Sequence, residues 1–278
     1  MTQLQPLPPG GQVAVFRRRN FIAFVLGLVL LTSGMVAGQT VSEVDPHSSG
    51  EYLVNYELWK IRSPFLDGVA KVIELVDGPL VVPWVLVALA VTLFVLRRRA
   101  MAVIGVVIPV VGWLPGHFAK KMFPRDRPPA ELEPVVVYKD TMSFPSGHTG
   151  FATSITIFIL FALTMWGLHR LWMAIVGTVW IFVVGLSRLY ASAHYLLDVV
   201  GGAVLAGGTS LMLWPLAAWW WRRAQSSGGF WAEPGRAIMA GTGSALRPGP
   251  DSAIAARPAR TITPAGTPKQ LPPPADAD

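Results

Sequence analysis

Two histidines in this 278-residue chain sit where their side chains can do chemistry. His194 and Asp198 are four residues apart, so on a helix they share a face. Asp198 falls about a turn inside an apolar stretch, where a lone carboxylate costs up to about 2.5–3.5 kcal/mol at a bilayer centre and needs a partner. A hydrogen bond from one His194 ring nitrogen to that carboxylate fixes the tautomer and leaves the other nitrogen as nucleophile or base. A structural pair capping the helix start fits the same residues. His148 follows Ser146 and Gly147 at the head of another apolar run. There the unpaired N–H groups of a helix N-terminus offer a seat for a phosphate oxygen, and Gly147 admits close backbone approach. A plain helix start, opened by Pro145 and capped by Ser146, is the alternative. Arg127 can hold a phosphoryl group through two parallel hydrogen bonds, while Lys120 and Arg188 add positive charge. Topology marking or lipid-headgroup contact also accounts for such cations. Together these groups are the parts for metal-free phosphoryl transfer. Cations and backbone N–H groups stabilise the transition state, one histidine attacks, and the other protonates the leaving oxygen.

The elements that must position these groups are membrane helices. Hydrophobic residues make up 52% of the chain and charged residues only 14%, where a soluble domain carries about 25% charged; the mean hydropathy is +0.47. With no cysteine, disulfides, thiolate nucleophiles and sulfur-ligated metals are excluded. Six apolar runs are long enough to span a bilayer: 21–38, 80–96, 100–118, 149–168, 171–186 and 195–221. None alternates like a barrel strand, so the fold class is all-α, a polytopic six-helix bundle. Pro115 should kink the third span. The net charge of +7 includes tight basic clusters at Arg17–Arg19, Arg97–Arg99, Arg170 and Arg222–Arg223. Six crossings put all four on one side, cytoplasmic by the positive-inside rule, so this charge reports topology and not a nucleic-acid partner. Trp219–Trp221 fit an interfacial anchor at that face. The first span serves as an uncleaved anchor in preference to a signal peptide.

This places residues 1–20 and 224–278 in the cytoplasm, the latter as a disordered tail rich in Ala, Pro, Gly, Ser and Thr. Residues 21–223 form the membrane domain. Within it, 39–79 is an extracytoplasmic segment, either an interfacial helix or a loop packed over the bundle. The three polar clusters then share the outer face. Of the other histidines, His117 fits a packed or pore-facing position, and His47 and His169 lie in loops with no assigned role.

Three motifs appear in order: Lys120, six residues, Arg127-Pro128; Pro145-Ser146-Gly147-His148; and Ser187-Arg188, five residues, His194, three residues, Asp198. The chain thereby resembles the type 2 phosphatidic acid phosphatase superfamily, which includes membrane lipid phosphatases, soluble acid phosphatases and vanadium haloperoxidases. The resemblance implies a six-helix bundle with an extracytoplasmic site. His194 would become a transient phosphohistidine held by Asp198, and His148 would be the general acid. Lys120, Arg127, Arg188, Ser146 and the Gly147 N–H would bind phosphate. Lys121 and Arg125 fall off the fixed positions and are read as headgroup contacts. No cofactor or metal is implied; the expected partners are a lipid phosphate, such as a polyprenyl diphosphate or phosphatidate, and the bilayer. The sequence leaves oligomeric state open. A lipid phosphotransferase, a non-enzymatic lipid-binding or transport protein and a vanadate-dependent peroxidase are the rival readings.

Overall fold

The computed structural model describes residues 9–168 and 170–234. The described chain is all-helical: α1 (Pro9–Glu43), α2 (Glu51–Lys60), α3 (Pro64–Val76), α4 (Val82–Val95), α5 (Arg99–Met122), α6 (Gly147–Trp166), α7 (Leu171–Tyr190) and α8 (Leu196–Ser226), with a short 3₁₀ turn at Ala130–Leu132. Five helices are long and apolar enough to cross a membrane, within α1, α5, α6, α7 and α8. The protein is a multi-pass integral membrane helical bundle.

The expected second span departs from this. Residues 80–96 contribute only the 14-residue α4, about 21 Å long at 1.5 Å per residue and short of a bilayer core of about 30 Å. Residues 78–81 are spent on a turn before the helix starts at Val82, with Pro83 in its first turn, and Arg97 takes a left-handed φ of 58° after it. Five helices, not six, therefore meet the length requirement among the described residues. The helix α5 runs on through both Pro109 and Pro115, and carries Lys120 in its last turn.

Lone apolar periodicity does not show which helices lie inside. The core joins α5, α6 and α8 through Met101, Ile108, Phe158, Phe161 and Trp221, all buried. Along α8 runs α1, where a Cβ on Gly208 would stand 2.6 Å from the Leu31 backbone nitrogen. Only a residue without a side chain permits this approach, a common device where van der Waals packing holds membrane helices together. The outer faces of α1, α4 and α7 leave Phe21, Trp84, Trp172 and Phe182 exposed, as lipid contact requires.

At one end of the bundle Arg98 pairs with Glu233 at 2.6 Å, and Trp166 and Trp221 donate to the same carboxylate. Trp221 is thus buried and Trp219 alone of the triplet is clearly exposed. The tail expected to be disordered from residue 224 begins instead with the end of α8 and the buried Glu233; residues 235–278, and His169, lie outside the described residues. Arg99 and Lys120 sit 21 residues apart on α5, about 31 Å of helix. The basic triplet and the three polar clusters consequently occupy opposite ends of the bundle.

Of the segment 39–79, residues 39–43 end α1 and the rest holds the two short helices α2 and α3. Pro64, which interrupts the apolar periodicity, occupies the first turn of α3 behind the Ser63 N-cap. Helix α3 buries Ala70 and Ile73 and exposes Phe65, Val69 and Val72.

Candidate active site

The three clusters converge because three helix ends meet. The C-terminus of α5 brings Lys120, the N-terminus of α6 brings Gly147 and His148, and the link between α7 and α8 brings His194. They line one cavity of about 480 Å³, together with Arg127, His117, Tyr138, Asp140, Glu74 and Asp77. The same cavity continues into an apolar groove formed by Val82, Leu86, Pro109, Val110 and Phe151.

Local backbone chemistry fixes each group. Ser146 caps α6, its Oγ accepting the Thr149 N–H at 3.4 Å and the Thr149 hydroxyl at 3.1 Å. Trp113 donates to the Gly147 carbonyl at 3.1 Å. A Cβ on Gly202 of α8 would lie 2.3 Å from the Ser146 carbonyl oxygen, so the glycine is what lets α8 close on this turn. Asn55 of α2 donates to the carbonyls of Leu189 at 3.0 Å and His194 at 3.1 Å, clamping the α7–α8 link.

His194 is buried, with Nε2 at 3.4 Å from Arg127 Nη1 and Nδ1 at 3.6 Å from Asp198 Oδ2. Burial, with the Arg127 and Lys120 cations adding to it, holds its imidazole down at about 4 against the pull of Asp198. Burial thus favours the neutral imidazole, to whose Nε2 lone pair Arg127 can donate. The Asp198 contact is longer than a hydrogen bond. Asp198 instead accepts from Arg125 at 2.8 Å and from the Tyr195 N–H at 2.8 Å, capping α8.

Lys120 donates to the Met142 carbonyl at 2.7 Å and lies 3.5 Å from Asp140. Arg127 donates to the carbonyls of Asp140 and Ala193, each at 2.8 Å, and its guanidinium lies over Tyr138. Both cations border the cavity while braced from behind.

Three expected phosphate contacts or helpers stand back from the cavity wall. Ser146 is turned into its cap, and Asp198 lies behind His194. Arg188, fully buried, donates to Glu74, to the Ala70 carbonyl at 3.1 Å and to Ser187 Oγ at 2.9 Å. Glu74, also bonded to the Tyr138 hydroxyl and 3.2 Å from His148 Nε2, is interposed between Arg188 and the cavity.

Arg125 overturns its reading as a headgroup contact. Only 3% of its side chain is exposed, and it bridges Glu51 of α2 to Asp198 of α8. Burial opposes its charge, but these two carboxylates more than compensate and hold the guanidinium above its ordinary value. Glu51 also accepts the Leu197 N–H at 2.7 Å. Sequence reasoning missed Glu51, Asn55, Glu74 and Asp77. The available signal was their placement, carboxylates and an amide recurring along the amphipathic segment 39–79. Lys121 is exposed, and His117 meets Trp113 edge to face with ring centroids 4.0 Å apart. Among the described residues no group of three or more His, Asp or Glu side chains is placed to hold a metal ion.

Comparison with known proteins agrees with this architecture. The PAP2 superfamily model matches residues 84–223, half of the chain. The chain is 33% identical over 132 residues to the Escherichia coli (strain K12) protein named "Putative undecaprenyl-diphosphatase YbjG", covering 46% of this chain and 61% of that one. It is 32% identical over 114 residues to the bacitracin transport permease protein BcrC of Bacillus licheniformis, covering 39% and 52%. The chain thus spans between half and two thirds of these relatives' lengths. In fold it is similar to the crystal structure of a transmembrane PAP2 type phosphatidylglycerolphosphate phosphatase from Bacillus subtilis. That match has a TM-score of 0.57 at 22% identity and covers 74% of this chain and 96% of that one.

Proposed function

The chain belongs to the PAP2 superfamily, and from that premise we propose that it hydrolyses a lipid phosphate or diphosphate at the extracytoplasmic face, without a metal, through a phosphohistidine on His194. The observation that carries this reading is one cavity in which His194, His148, Lys120 and Arg127 face a common space that runs on into an apolar groove. The polar end suits a phosphate and the groove suits a hydrocarbon chain entering beside α4 and α5.

In the first step the His194 Nε2 lone pair attacks phosphorus, the bond from phosphorus to the leaving oxygen breaks, and His148 gives that oxygen its proton. In the second, His148 takes a proton from water, whose oxygen attacks the phosphohistidine. The N–P bond breaks, and inorganic phosphate leaves with His194 regenerated. Lys120 and Arg127 neutralise charge on the non-bridging oxygens. Arg188 joins them only if Glu74 gives way.

The opposition of the Arg97–Arg99 triplet and the site across about 31 Å of α5 supports an outward-facing site. On that reading α4 is the sixth crossing, lengthened by its flanking turns, and both termini are cytoplasmic. The name of YbjG favours a polyprenyl diphosphate as substrate, with phosphatidate second. Incubating the full-length protein in detergent with a panel of lipid phosphates and measuring released phosphate tests the reading. Turnover lost in His194→Ala supports it. Turnover surviving that substitution, or phosphate passed quantitatively to an acceptor hydroxyl, contradicts it.

A further inference from the structure

Asp77 is the one acidic group of the cavity wall with no cation and no role in the reaction above. It caps the C-terminus of α3, its N–H donating to the Ile73 carbonyl at 3.0 Å. Its residue is 5% exposed, and Oδ2 has no hydrogen-bond partner among the described residues. It nevertheless lines the cavity with His148, His194, Lys120 and Arg127. The adjoining Gly78 is packed against the site, since a Cβ there would lie 3.5 Å from His148 Nε2.

Three effects oppose a charge on this carboxyl. Burial without a partner penalises the ionised form, and the negative end of the α3 dipole repels it. The third is Glu74, one turn earlier on the same helix and lining the same cavity. The nearby cations are engaged elsewhere: Arg188 by Glu74, Lys120 and Arg127 by Asp140 and backbone carbonyls. Burial accordingly pushes the Asp77 carboxyl up to about 8. A neutral carboxyl differs from a carboxylate in carrying an O–H donor, which is the group a phosphate oxygen needs. An ionised one would repel the same oxygen.

We propose that Asp77 is a headgroup-binding residue that stays protonated and donates a hydrogen bond to a phosphate oxygen of the bound substrate. This rests on the reading that the cavity takes a phosphate headgroup, and it adds a contact made from α3, outside all three motifs. It also makes anion binding depend on pH. The other titratable groups facing the cavity are Glu74 from α3, His117 and Lys120 from α5, Arg127, Tyr138 and Asp140 from the α5–α6 link, His148 from α6 and His194 after α7.

Tungstate, a tetrahedral dianion throughout the range used, is the probe, with binding measured calorimetrically on the full-length protein in detergent between pH 6.5 and about 9.5. The wild-type Kd is expected to be level at neutral pH and to rise about tenfold per pH unit above about 8. Asp77→Asn keeps a donor that cannot ionise; it should weaken binding a few fold at pH 7 and remove the alkaline limb. Asp77→Leu should weaken binding at pH 7 by about ten- to a hundredfold. An alkaline limb that persists in Asp77→Asn belongs to another group, such as Lys120, and overturns the proposal, as does tungstate affinity unchanged in Asp77→Leu. Should neither variant fold, infrared difference spectra of the wild-type protein decide. A protonated-carboxyl C=O band at pH 7 that shifts when tungstate is added supports the proposal, and its absence refutes it. The KM for a short-chain lipid phosphate should show the same limb as the free anion. Wild-type protein that binds tungstate in this way but releases phosphate from no lipid sinks the hydrolase reading and leaves Asp77 standing.

Discussion

Arg125 offers the sharpest test of how the site is held. Its guanidinium is 3% exposed and lies between two carboxylates that are 5% and 0% exposed, Glu51 and Asp198. Replacing it with Met leaves both acids buried without a cation. Breaking a buried pair from one side costs about 3–5 kcal/mol. The backbone donors that remain, from Leu197 to Glu51 and from Tyr195 to Asp198, keep the effect within that range and not at twice it. Arg125→Lys keeps the charge, but an ammonium cannot span both carboxylates as the planar fork does, so about 1.5–3 kcal/mol should be lost. Glu51→Gln combined with Arg125→Met should cost less than the sum of the two singles, because the second change removes an acid the first left stranded. Equilibrium unfolding in mixed micelles, followed by the fluorescence of the chain's 11 tryptophans, gives these differences. Because Arg125 acts on His194 only through Asp198, kcat in the folded Lys variant should fall while KM holds. An Arg125→Met protein within about 0.5 kcal/mol of wild type and equally active would refute the account of the α2–α8 tie.

The catalytic assignments make further predictions. His148→Ala should lower kcat by about 10²–10⁴-fold for an alkyl leaving group and least for a phenolic one, measured by phosphate release; equal losses would remove His148 as the acid. Glu74→Gln weakens the hold on Arg188 and removes a negative charge beside the phosphate seat, so the inhibition constant of vanadate should fall about tenfold. A rise would mean that Glu74 helps to bind the anion. Extensive chelation should leave lipid-phosphate hydrolysis unchanged, with strong inhibition by chelator pointing to a metal.

Much of the bundle was legible from apolar runs because a membrane helix must be apolar over most of its length. The runs beginning near residues 100, 149, 171 and 195 correspond to α5, α6, α7 and α8 for that reason. Hydropathy could not distinguish a 14-residue helix flanked by turns from a full crossing at 80–96, since Leu80, Val81 and Leu96 are as apolar as the helix itself. Nor could it see that Trp221 turns inward to Glu233. At the site, spacing identified the residues that line the cavity at fixed intervals, Lys120, Arg127, Gly147, His148 and His194. It could not tell which neighbouring ions pair with one another. Arg125 looks like one more surface cation until α2 places Glu51 on it, and Arg188 looks available until α3 places Glu74 on it. Those carboxylates lie 74 and 114 residues from their partners. Only packing brings them together.

The central claim is tested most directly by rapid acid-free quenching of the protein with a radiolabelled lipid phosphate, followed by peptide mapping. The account predicts a phosphoryl adduct, stable to alkali and labile to acid, on the peptide carrying His194 and absent from His194→Ala. Label on another residue, or rapid turnover with no adduct in the pre-steady-state phase, would contradict it.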